Sequence, residues 1–144
     1  MSKISKLQDI INNFNFKKGD YVGVEDQLSK FTESYALLSA EEAELLRGEF
    51  AAKNRLGWLR IASTLFIKRF SGADSMEKEK LCRIFFALYS FENLEFGFDG
   101  VMDVISVSDQ MKGHTDMAKR NWKYFSELTS NNAAKNNLNN KIFG

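Results

Sequence analysis

The side chains that do most protein chemistry are scarce in this chain: there is one histidine, His114, and one cysteine, Cys82. A general base needs an orienting partner and a nucleophile within hydrogen-bond reach. The sequence around His114 marks neither, and with Gly113 before it His114 reads as an exposed or capping residue at a helix start. Arg83 beside Cys82 could lower the thiol pKa. A cysteine between Leu81 and Arg83 on a helix nevertheless reads first as a small buried hydrophobe. One cysteine forms no intrachain disulfide and no cysteine-based zinc cluster, and one histidine serves no two-histidine site. A glycine-rich phosphate loop, a nucleophile-elbow serine and a carboxylate–histidine metal spacing are all missing. The expectation is a protein that is not an enzyme and holds neither cofactor nor metal.

Charge carries more information than chemistry. The net charge is +1, but the charges are segregated. Glu25 to Glu49 holds seven acids and two bases, and Lys53 to Arg69 holds five bases and no acid. Glu92 to Asp109 holds five acids and no base, and Lys112 to Lys141 six bases and two acids. On a helix, Glu92, Glu95, Asp99 and Asp103 would share one narrow arc, opposite Leu94, Phe98, Val101 and Ile105. Phe96 falls near the same arc. Like charges so placed repel by a few tenths of a kcal/mol per pair. Two explanations stand: a solvated face, or one paired with Lys119, Arg120 and Lys123, against a docking stripe for a basic partner with Phe96 as its anchor. The stripe Glu92, Glu95, Phe96, Asp99 and Asp103 is the candidate partner-binding site, and the Glu41–Glu49 block is the next candidate. Lys53, Arg60 and Lys68 also share an arc. Three bases without interleaved aromatics are a weak phosphate footprint, which makes nucleic acid an unfavoured partner.

The elements that must position these groups read as helices. Proline, which breaks helix interiors, is absent. Ile4, Leu7, Ile10, Ile11 and Phe14 recur at helical spacing, as do Val24, Leu28, Phe31, Tyr35 and Leu38. Between them, residues 14–24 fit either a small hairpin around Lys17–Asp20 or a loop whose aromatics plug the core, and the loop is favoured. Ser39 and Glu42 form a capping box for a helix whose stripe is Leu45, Leu46 and Phe50. Asn54 is a candidate cap for the next helix, with Trp58, Ile61, Ala62, Leu65 and Phe66 inward. Asp74 with Glu77 repeats the capping logic before Leu81, Ile84, Phe85 and Leu88. Leu94 to Ile105 is read as helical despite Gly97 and Gly100. Thr115 is a candidate cap for the last helix, with Trp122 and Phe125 inward. Trp58, Leu65, Phe85, Leu88, Trp122 and Phe125 are expected to be buried together. The Asn-rich end from Asn131 has little to bury and reads as a flexible tail.

The chain's 144 residues suit one domain. The expected fold is all-α: six or seven amphipathic helices in a single bundle over residues 1–130, with solenoid-like helix pairs as a variant, and a tail at 131–144. No apolar run approaches the ~18 residues a membrane span needs, and the N-terminus lacks a signal core. A cytoplasmic, membrane-free protein is expected, with a lone thiol suited to a reducing compartment.

From Ser39 to Ser130, through Leu45-Leu-Arg-Gly-Glu-Phe50, Asn54-Arg-Leu-Gly-Trp-Leu-Arg-Ile61 and Lys119-Arg-Asn-Trp-Lys-Tyr-Phe125, the chain resembles the helical immunity proteins that bacteria pair with secreted or contact-dependent toxins. The resemblance is one of type and includes no diagnostic motif. It implies a tight stoichiometric complex with a cognate toxin, often a nuclease, whose active site is blocked. An acidic face would complement the basic surface of such a toxin. The near-neutral total departs from the acidic balance common in nuclease inhibitors. The alternative is a small helical regulator or adaptor that binds another protein or nucleic acid.

Overall fold

The computed structural model describes residues 3–14, 21–52, 57–92 and 98–143. Every regular element among them is helical: α1 Lys3–Asn12, α2 Tyr21–Tyr35, α3 Ala40–Ala52, α4 Trp58–Arg69, α5 Ser75–Glu92, α6 Phe98–Met111, α7 Thr115–Trp122 and α8 Asn132–Phe143. Short 3-10 turns at Lys112–His114 and Ser126–Leu128 flank α7. The molecule is a helical bundle, as the periodicity predicts.

Local capping sets several boundaries. Ser39 and Glu42 form the predicted reciprocal box: the Glu42 amide donates to Ser39 Oγ at 3.1 Å, and the Ser39 amide to Glu42 Oε1 at 3.0 Å. The Glu77 amide donates to Asp74 Oδ1 at 2.9 Å and starts α5. Thr115 is different: its hydroxyl donates to the Lys112 carbonyl, because a 3-10 turn already leads into α7. Tyr21–Val24, the second arm of the possible hairpin, is the first turn of α2. Phe14 stacks on Trp58 with ring centroids 4.3 Å apart, so this aromatic does plug the core. Residues 15–20 and Asn54 lie outside the described residues.

α5 is the axle of the bundle. From Ile84 to Glu92 every residue is buried, so this stretch is apolar almost all round rather than on one stripe. A helix of that kind belongs in the middle, and α5 packs against α2, α3, α4 and α7. Trp58, Leu65, Phe85, Leu88, Trp122 and Phe125 are all buried in one core cluster. Aromatic contacts knit it: Phe31 meets Phe91 edge-on at 5.2 Å, and Phe86 tilts against Trp122 at 5.3 Å.

The C-terminal segment does not trail off. α8 docks on α6 and α7, with Leu138 and Ile142 buried and Ala134 packed beside them. These three are spaced four apart, which is one stripe of a three-turn helix. Asn131 Oδ1 accepts the Ala134 amide at 3.0 Å, and the Tyr89 hydroxyl donates to the Ala134 carbonyl at 2.5 Å. Among the described residues, no helix is long and apolar enough to cross a membrane.

Candidate functional site: a carboxylate-lined groove on α3

Of the acidic stripe, the structure describes the side chain of Glu92 alone, and that side chain faces inward. Glu92 is the last residue of α5, whereas Asp99 and Asp103 belong to α6. Glu95 and Phe96 lie outside the described residues, and the described side chains of α6 begin at Val104. Glu92 is only 7% exposed. Its carboxylate accepts the amides of Gly57 (3.2 Å to each oxygen), Trp58 (2.5 Å) and Leu59 (3.0 Å), the orphan donors that open α4. A carboxylate at a helix N-terminus satisfies those donors and complements the helix dipole. Gly57 makes the approach possible: its φ of 119° is a left-handed conformation that side chains resist. Burial pushes the Glu92 carboxyl above its ordinary range, and the three amides pull it part of the way back. Glu92 therefore joins α5 to α4 and leaves the partner-binding set.

The acidic block that does meet solvent is on α3. Ala43, Leu46 and Phe50 point into the core. Leu45 lies a residue off that stripe, about 100° round the helix, and is 58% exposed rather than buried as the stripe Leu45, Leu46, Phe50 implies. Beside it runs an open groove of about 810 Å³. One wall is α3, with Glu41, Glu44, Leu45 and Glu49; the other is the segment Leu128–Ser130. Gly48 leaves the floor low, since a Cβ there would meet nothing within 4 Å.

Arg47 fixes the two walls. It is 4% exposed, and its guanidinium donates to the carbonyls of Phe91 (2.8 Å), Ser90 (3.2 Å) and Leu128 (2.5 Å). The first two are carbonyls at the C-terminal end of α5, where a cation suits the helix dipole. The third belongs to the opposite wall of the groove. Arg47 also pairs with Glu44 and lies 3.5 Å from the Tyr35 hydroxyl, which contacts Ser90 Oγ at 2.9 Å. Burial raises the Tyr35 phenol pKa and keeps it neutral. A buried charge is tolerated only when paired and hydrogen-bonded throughout, and Arg47 meets that condition. Its charge is shared between those carbonyls and Glu44, and it contacts neither Glu41 nor Glu49.

Those carboxylates differ in engagement. Glu44 takes Arg47 and Ser130 Oγ, the latter at 3.3 Å, and Glu49 takes the Gln8 amide. The Glu41 carboxylate has no hydrogen bond or ion pair among the described residues. Elsewhere charges are paired across elements: buried Glu25 binds Arg69 and, at 3.4 Å, Lys80, and Glu79 binds Arg120. Of the basic arc, Arg60 and Lys68 are exposed on α4, and Lys53 is outside the described residues.

The two nucleophile and base candidates are packed. Burial, with Glu79 nearby, pushes the Cys82 thiol up to about 12, so it stays protonated at neutral pH and Arg83 does not activate it. The His114 ring stands edge-on to Phe70, 5.1 Å between centroids. No cluster of three or more metal-ligating side chains occurs among the described residues. The chain matches no protein-family model, and comparison with curated proteins and with solved structures returns no similar protein.

Proposed function

We propose that this chain is a toxin-neutralising immunity protein that acts in the cytoplasm and docks a basic cognate toxin, of nuclease type, through the α3 groove, blocking the toxin's active site. The observation that carries the reading is an exposed leucine, Leu45, set among Glu41, Glu44 and Glu49 along an open groove of about 810 Å³. An apolar centre within a charged rim is the composition of a recognition surface: desolvated contact sets the lifetime of the complex, and charge sets the encounter rate. A nuclease holds phosphates with lysine and arginine, and a carboxylate-lined groove opposes such a surface.

The test is co-expression with each basic, growth-inhibiting protein encoded next to this gene, followed by kinetics on the purified pair. The expected results are cell survival, a one-to-one complex, and an association rate that falls with salt as screening shortens the range to about 8–10 Å. Glu41→Lys with Glu49→Lys should slow association, and Leu45→Ser should speed dissociation. Failure to protect the cells removes the immunity reading. Protection with kinetics indifferent to all three substitutions removes the groove from it.

A further inference from the structure

We infer that the occupant of the α3 groove is a single amphipathic, basic α-helix of the partner, seated with a bulky apolar side chain over Gly48; this rests on the proposed binding role and specifies its chemistry. Three observations define the occupant. The first is backbone economy. The α3 wall, from Leu45 to Gly48, offers nothing to an extended strand's unpaired amides and carbonyls, and the facing wall is short, Leu128–Ser130, and extended at Thr129. The backbone groups of α3 are bonded within its own helix. A guest lying along α3 gains no main-chain pairing from it, which favours a backbone already satisfied, the helix-in-groove mode.

The second is shape. Glu41, Leu45 and Gly48 lie on successive turns along the outer face of α3, a ridge of about 10 Å at 1.5 Å per residue. That length matches two turns of a guest helix. Glycine in a helix interior costs about 1 kcal/mol relative to alanine. Gly48 sits inside α3 with open space above it, so no contact within the fold demands its lack of a side chain. The empty position is where a guest side chain fits.

The third is charge. Glu41, Glu44 and Glu49 line the same groove; Arg47 pairs with Glu44 and turns the rest of its guanidinium inward to main-chain carbonyls, which leaves Glu41 and Glu49 without an ion pair among the described residues. A second copy of this chain would set these carboxylates against one another and is repelled. A helix with lysine or arginine flanking its apolar stripe is attracted.

The experiment uses the full-length protein and three synthetic peptides of about 18 residues: leucine at helical spacing with lysine elsewhere, the same pattern with glutamate for lysine, and the lysine composition in an order that destroys the periodicity. Binding is read by fluorescence anisotropy, and the contact surface by amide chemical shifts. The patterned basic peptide should bind, shift resonances within 40–49 and 128–130, and exceed both controls by about tenfold or more. Gly48→Phe, with its helical circular dichroism unchanged, should weaken that peptide by about tenfold or more. Leu45→Lys, on the solvent face, gives the same answer without entering the position of Gly48. Equal binding of the disordered-pattern peptide, or full affinity in both variants, overturns the inference. Cell protection that survives Gly48→Phe undiminished also overturns it while leaving the immunity role intact. Peptide binding in the groove without any cell protection upholds it and removes the immunity role.

Discussion

Replacing Glu92 with alanine takes the acceptor away from three amides at once. The Gly57, Trp58 and Leu59 donors that begin α4 would be left facing a space next to the core. Loss of an N-terminal cap costs about 0.5–2 kcal/mol, and each buried donor left without a partner costs about 1–3 kcal/mol. Water will reach some of them, because Glu92 is 7% exposed, not fully enclosed. A net loss of about 3 kcal/mol follows, which at this chain length lowers the melting temperature by about 9 °C. Glu92→Gln retains one carbonyl oxygen as acceptor and should cost about 1 kcal/mol. The pH dependence has a defined sign. The folded carboxyl titrates above its ordinary 4.5 because burial dominates, so the folded chain binds the proton more tightly than the unfolded one. The stability Glu92 contributes is therefore fully present below 4.5 and declines as pH rises through the raised value. Wild type should lose ground to Glu92→Gln as pH rises across that window. Urea unfolding followed by the fluorescence of Trp58 and Trp122 at a series of pH values measures both effects. A loss below about 1 kcal/mol for the alanine variant would refute the capping role, and a wild type that gains on the glutamine variant as pH rises would show that the amides outweigh burial in setting the Glu92 titration.

Gly48→Ala should stabilise the protein by about 0.5–1 kcal/mol in thermal or urea unfolding, because it removes a helix-interior glycine where a Cβ meets nothing. Arg47→Met should cost about 3–5 kcal/mol if leaving the Ser90, Phe91 and Leu128 carbonyls unserved outweighs the relief of desolvation. Arg47→Lys should recover little of that loss, since one ammonium cannot reproduce the fork. Leu138→Ala should cost about 2–4 kcal/mol by denaturant midpoint, because α8 is anchored on that fully buried side chain; a loss within about 0.5 kcal/mol would make α8 peripheral.

The parts of the fold that were legible in the sequence are those written in neighbouring residues. Ser39 with Glu42 and Asp74 with Glu77 lie three apart, and the stripe Val24, Leu28, Phe31, Tyr35 is visible in one short window. The destination of Glu92 is 33–35 residues away and consists of main-chain amides, which no residue type announces. One signal was available. Ahead of Trp58 the helix start has Gly57 and no side-chain cap, so its donors had to find an acceptor elsewhere. Charge patterning drew Glu92 into a stripe because it treats every acid as solvated. α8 was hidden for a related reason: asparagine-rich composition outweighed the spacing of Ala134, Leu138 and Ile142. The α3 groove was half legible. The acidic block was evident, but the outward turn of Leu45 depends on Ala43, Leu46 and Phe50 facing the core together.

The bonds of Arg47 span 12 residues to Tyr35, 43 and 44 to Ser90 and Phe91, and 81 to Leu128. Such distant partners come together only once most of the chain has collapsed, and a guanidinium stripped of water before they arrive is unfavourable. The expectation is that its interactions form after the rate-limiting step, which a chevron of Arg47→Met against wild type checks: a faster unfolding arm with an unchanged folding arm. Interactions absent from the transition state act on the unfolding rate and leave the folding rate nearly untouched. On that expectation Arg47 acts as a latch, and its loss shortens the lifetime of the native molecule more than it slows its formation.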